Sequence, residues 1–162
     1  MRLAKLIATP FLVCCLSAAH SAHAQVPVAA AADQATLLAS SDAQLAANKR
    51  LVYDFWREVF EGGHLELADK YLADSYIQHN PNVPTGRAAF VSFFAHFKKP
   101  LAIQPTISMP LVSITAEGDR VILAFAHEGK DAAGNAYTTT WFDMFRVANG
   151  KITEHWDPAT RQ

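Results

Sequence analysis

From residue 42 to residue 97 apolar side chains recur at three- and four-residue intervals, and beyond Pro100 the interval drops to two. The first pattern predicts helices. Leu45, Val52, Phe55, Trp56 and Val59 form one apolar stripe, with Ser40, Ser41 or Asp42 available as its N-cap and Gly62-Gly63 as its stop. A second, short helix is predicted over 65–72, with Leu65, Ala68, Tyr71 and Leu72 on one side. Tyr76-Ile77-Gln78-His79 reads as a short strand closed by Asn80-Pro81, and Thr85 as the cap of a third helix carrying Phe90, Phe93, Phe94 and Phe97. Lys98-Lys99-Pro100 ends that helix.

The alternating half predicts four strands: 107–115, interrupted by Pro110, then 120–128, 137–147 and 151–155. Glu117-Gly118-Asp119 turns the first into the second, and Asn149-Gly150 is a strong hairpin signal between the last two. Helices followed by a meander of strands define an α+β fold, with three N-terminal helices covering one face of an antiparallel sheet.

The start of the chain fits neither period. Arg2 and Lys5 precede an apolar run from Leu6 to Ala19, and small residues follow to Ala22-His23-Ala24. This is the layout of a secretory signal peptide over 1–24, too short in its apolar part for the roughly 20 residues of a membrane span. The expectation is a periplasmic or secreted protein with no stable membrane span after cleavage. Residues 25–40 read as a flexible leader and 41–160 as one domain. Cys14 and Cys15 both fall in the signal, so the mature domain depends on its core rather than on a disulfide. Without Arg2 and Lys5 the chain holds 12 basic against 15 acidic residues, a net charge of −3. With no basic run to neutralise phosphates, nucleic acid is not an expected partner.

Alternation in 137–147 places Trp141, Asp143 and Phe145 on one face, so Asp143 is a carboxylate between two aromatic rings. Burial there disfavours its charged form, which suits a carboxyl to acid/base work near neutral pH. A structural aspartate paired with an arginine or with backbone donors is the alternative. His127 ends the row Val121, Leu123 and Phe125 and is either a pocket-lining proton carrier or a rim residue. His79 is either a pocket-mouth residue or a turn stabiliser. His155 depends on register: a strict two-residue loop at Asn149-Gly150 pairs Asp143 with Trp156, whereas a bulge at Gly150 pairs it with His155. The sequence holds no phosphate-binding glycine loop, nucleophile elbow, His-Glu-x-x-His motif or cysteine beyond residue 15. The scattered histidines lack ligand spacing, so no metal is expected, and acid/base chemistry of this kind requires no other cofactor.

Tyr76-Ile77-Gln78-His79-Asn80-Pro81, Gly86-Arg87 before the phenylalanine stripe, and 142–146 with 149–157 together resemble the SnoaL-like branch of the nuclear transport factor 2-like (NTF2-like) superfamily, which includes polyketide cyclases. The resemblance spans about residues 42–157. It implies a strongly curved sheet wrapped by helices into a cone, an apolar cavity, and frequent homodimerisation through the sheet. It also implies acid/base roles for Asp143 and His127, and a pocket position for His79 and His155. The resulting expectation is an aldol-type cyclase, isomerase or hydratase-like lyase. Asp143, His127 and His79 would be catalytic, and His155, Trp56, Trp141, Phe94 and Tyr53 would contact a small apolar molecule. The competing reading is a non-catalytic periplasmic binding or dimeric interaction module.

Overall fold

The computed structural model describes residues 26–162, so the signal expected over 1–24 lies outside the described residues. Short helix α1 (Gln34–Leu37) precedes α2 (Ala43–Phe55), whose first turn is capped by the Asp42 carboxylate accepting from Gln44 N at 2.7 Å and Leu45 N at 3.1 Å. The last turns, Trp56–Glu61, widen to i→i+5 bonding, and Gly62 N donates to Arg57 O at 3.1 Å. Gly63 then takes φ +71, with Lys99 O only 2.5 Å from where a Cβ would stand. Glycine here both ends the helix and admits the crossing chain.

The stretch expected as a second helix is a tight turn, Leu65–Leu67, followed by one helical turn, α3 (Ala68–Tyr71). Leu72 already belongs to strand β1 (Leu72–Gln78). Helix α4 (Arg87–Ala95) starts from Gly86 at φ +99, and Thr85 is not its cap. The Thr85 hydroxyl instead accepts from Gln78 N and donates to Gln78 O, both at 3.2 Å, fastening the loop to the end of β1.

Strands β2 (Leu111–Glu117), β3 (Arg120–Lys130), β4 (Ala136–Ala148) and β5 (Lys151–Trp156) form the expected antiparallel meander. The strand expected from residue 107 begins only after Pro110, which has no N–H to give a ladder. Sheet order is β1-β5-β4-β3-β2, and β1 runs parallel to β5, with Ile77 opposite Glu154 and Gln78 opposite His155. The sheet is therefore mixed, a correction to the antiparallel expectation. Helix α4 and the long segment after it connect β1 to the meander, and that crossover lets β5 return beside β1 in the same direction.

Core packing joins the two layers. Val52, Phe55 and Val59 from the long helix meet Leu123, Phe125, Phe145 and Ile152 from the sheet, all 2% exposed or less. The segment expected as a flexible leader is tied to this body: Val28 N donates to Thr138 Oγ1 at 2.8 Å and Ala31 N to Leu111 O at 2.8 Å. Among the described residues no helix is long and apolar enough to cross a membrane.

Candidate active site

Between the helices and the inner face of the sheet lies a cavity of about 460 Å³. Phe55, Trp56, Phe90, Phe94, Phe125 and Phe145 supply most of its apolar wall, and Asp143, His155, Gln78, Tyr76, Asn80 and Asp157 bring polar groups to it. Asp143 arrives by β4 alternation, opposite Leu123 and two residues from Phe145 on the same face.

His155 arrives by a less regular route. Asn149 and Gly150 have φ +52 and +69, the two left-handed residues of a strict two-residue turn, and Ala148–Lys151 and Val147–Ile152 pair directly across it. Thr153 is then an extra residue, so Arg146 faces Glu154 and Phe145 faces His155. The bulge sits at Thr153 rather than at Gly150, and it shifts the register opposite to the direction a Gly150 bulge would give. Its effect is still to bring His155 onto Asp143's face.

The His155 ring stacks on Phe145, centroids 4.6 Å apart, and its Nε2 lies 2.8 Å from Asp143 Oδ1. Its Nδ1 lies 2.9 Å from Gln78 Oε1. That oxygen also accepts from Asn80 N at 3.0 Å, a donor that fixes the amide with Oε1 toward the ring. Nδ1 therefore carries a proton, and the Asp143–His155 contact holds one more, shared between a carboxylate and an imidazole. Gln78 Nε2 donates to the Tyr76 hydroxyl at 3.1 Å, while Asn80 Nδ2 donates to Asp157 Oδ2 at 2.7 Å.

Asp143 is 3% exposed, and its second oxygen, Oδ2, is buried with no hydrogen-bond partner among the described residues. Burial pushes its carboxyl above the ordinary aspartate range, the hydrogen bond and charge of His155 pull it back, and the negative charge of Asp157 adds to the rise. The Trp141 side chain opposes the rise slightly. Burial also drives the Tyr76 hydroxyl far above its ordinary value, so it stays protonated.

Asp143, His155 and Asp157 offer ligand atoms within 4.8 Å of one another. Hydrogen bonds already engage them: Asp157 Oδ2 holds Asn80, Asp157 Oδ1 accepts from Ala159 N at 2.9 Å, and His155 spans Asp143 and Gln78. A cation would have to displace part of this network, so the donor set fits proton chemistry better than metal ligation.

Of the residues singled out in the sequence, Asp143, His155, Trp56, Trp141, Phe94 and His127 line the cavity. His127 is exposed and stands four residues along β3 from the partner of Asp143, about 13 Å away by strand rise. The imidazole bonded to Asp143 is that of His155. His79 is not a lining residue: its ring stacks on Trp156 at 4.8 Å and meets Glu154 Oε2 at 3.2 Å. Tyr53 also lies elsewhere, its hydroxyl donating to Gln34 Oε1 at 2.8 Å and lying 3.3 Å from Ile107 N, beneath the N-terminal segment. Gln78, Tyr76 and Asp157 were missed. Alternation in β1 would have found the first two, since Tyr76 and Gln78 share the face opposite Ile77 and His79.

The SnoaL-like domain family matches residues 52–155, and the chain belongs to that family. Among solved structures, a candidate polyketide cyclase from Xanthomonas campestris is 24% identical with a TM-score of 0.50, over 71% of this chain and 91% of its own. A candidate SnoaL-like polyketide cyclase from a Jannaschia species is 15% identical with a TM-score of 0.51, over 74% and 91%. An NTF2-like protein of unknown function from Burkholderia pseudomallei is 19% identical with a TM-score of 0.48, over 70% and 91%. At these identities the likeness to the first two shows a shared fold. No curated protein matches the chain.

Proposed function

We propose that this protein is an exported acid/base enzyme of SnoaL-like type, an aldol-type cyclase, isomerase or hydratase-like lyase acting on a small, largely apolar carbonyl compound. The observation that carries the reading is the Asp143 carboxyl, 3% exposed, with Oδ1 held by His155 at 2.8 Å and Oδ2 unpartnered in an aromatic cavity. Oδ2 removes a proton α to the carbonyl, and the carboxyl so formed returns it at a second position or to a leaving oxygen. His155, fixed by Gln78, keeps Oδ1 hydrogen-bonded in both states, so the proton moves without reorganising the site. The aromatic wall excludes water that would otherwise solvate the carboxylate and weaken it as a base.

Proton removal is measurable before any product is known. Incubated in deuterium oxide with a panel of cyclic ketones and β-diketones, the wild type exchanges α-protons faster than buffer, and Asp143→Asn does not. An Asn variant that exchanges as fast as wild type sinks the proposal; a panel that binds without exchange favours the binding-module reading. Export rests on the charged, apolar and small-residue sequence of 1–24, and N-terminal sequencing of protein from the periplasm or medium should begin at Gln25. The reading includes a homodimer through the sheet's outer face, where Phe142 and Ile77 are 52% and 41% exposed. Sedimentation velocity tests it.

A further inference from the structure

Two lining residues of the cavity carry a buried polar atom with no partner among the described residues: Asp143 at Oδ2 and Trp56 at Nε1. Trp56 is 3% exposed, its indole stacked on Phe125 at 4.8 Å and tilted against Phe60 at 4.4 Å, with Phe145 edge-on at 6.3 Å. Buried indole N–H groups ordinarily find an acceptor, because leaving one unpaired costs about 1–3 kcal/mol. Among the described residues none supplies one, and its aromatic neighbours are Phe60, Phe125 and Phe145.

Both residues line the same cavity. Phe125, stacked on Trp56, pairs with Trp141 across the sheet, and the backbone of Asp143 is one diagonal step from that of Phe125, about 7 Å. One atom can only donate and the other, as a carboxylate oxygen, accepts. A carbonyl compound with an acidic C–H beside the carbonyl offers the complement of both within a few bonds. Charge narrows the class further. Among the described residues neither lysine nor arginine lines the cavity, whereas Asp143 and Asp157 both do. The shared proton leaves the Asp143–His155 pair without net charge, so an anionic ligand would meet the Asp157 carboxylate in a low-dielectric space with no lysine or arginine to offset it.

We infer that Trp56 Nε1–H is the hydrogen-bond donor to the ligand's carbonyl oxygen, and that the cavity selects an uncharged, flat carbonyl compound. This deepens the proposed function and rests on its placement of the substrate against Asp143. In the reaction the indole N–H would follow the oxygen as enolate charge grows there, making Trp56 a catalytic residue as well as a selector.

β-Tetralone, tetralin and tetralin carboxylate share one framework and differ in the polar group. Calorimetric titration of wild-type protein should show β-tetralone binding about tenfold more tightly than tetralin, the worth of one buried hydrogen bond, and the carboxylate more weakly than either. Trp56→Phe keeps an aromatic ring against Phe125 and should lose the ketone preference while binding tetralin within about twofold of wild type. The indole N–H proton resonance of Trp56, assigned by its loss in that variant, should move downfield with β-tetralone and stay with tetralin. The proposal is overturned if the wild type binds the ketone no better than the hydrocarbon, if Trp56→Phe weakens both alike, or if the indole proton ignores the ketone. Asp143→Asn separates the two claims: ketone preference retained with wild-type exchange sinks the acid/base role alone.

Discussion

Replacing His155 with leucine removes the one partner that Asp143 Oδ1 has among the described residues and leaves a carboxyl that is 3% exposed with neither oxygen bonded to any of them. Breaking a buried pair in this way costs about 3–5 kcal/mol when the remaining group stays charged. Asp143 is already held above the ordinary aspartate range by burial and can take a proton, so the expected loss at pH 7.5 is nearer 2–3 kcal/mol. For a domain of this size that corresponds to a melting temperature lower by about 10 °C. The pH dependence has a definite sign. Folding penalises the charged form, so the penalty is absent below the ordinary aspartate value, near 4, and grows as pH rises through the higher folded-state value. Urea unfolding followed by tryptophan fluorescence should therefore show a His155→Leu deficit at pH 7.5 that largely closes near pH 4. Adding Asp143→Leu should recover most of the loss at pH 7.5, because two apolar side chains fill the site without an orphaned charge. A deficit equal at both pH values, or a double variant no more stable than the sum of its parts, would refute the reasoning.

Deleting Thr153 removes the extra residue of the bulge while leaving Glu154 opposite Arg146 and His155 opposite Phe145. The variant should fold with the Asp143–His155 hydrogen bond intact, seen as a downfield imidazole N–H resonance; loss of that resonance would show that the bulge does more than set register. Tyr53→Phe gives up the hydroxyl bonds to Gln34 and Ile107 and should cost about 1–2 kcal/mol in urea unfolding while leaving β-tetralone affinity unchanged. A change in affinity would return Tyr53 to the cavity.

Local chemistry carried the parts of the fold that the chain alone reveals. Asp42 before an apolar stripe, and Asn149-Gly150 between two alternating runs, act over a few residues, and both features formed where expected. The β1–β5 pairing joins Gln78 to His155 across 77 residues and leaves no trace in either strand's own pattern, so its parallel sense was invisible. Asp143 was legible because alternation in a long strand is unambiguous. His155 was not, because one extra residue at Thr153 decides which face it occupies. Tyr53 and His79 failed for related reasons. Each is polar and aromatic near residues that line the cavity, but helix and strand periodicity turn Tyr53 toward Gln34 and His79 outward onto Trp156. His127 lies in the cavity wall as expected; its distance along β3 is what separates it from Asp143.

A carboxyl shielded from water and joined to one imidazole is the feature on which the chemistry depends, and carbon-13 NMR reads its ionisation directly. Titration of the Asp143 Cγ resonance, assigned against Asp143→Asn, should give a midpoint clearly above the ordinary aspartate value near 4. A midpoint at or below that value would mean that Asp143 is an ordinary carboxylate, and the account of proton transfer in this cavity would be contradicted.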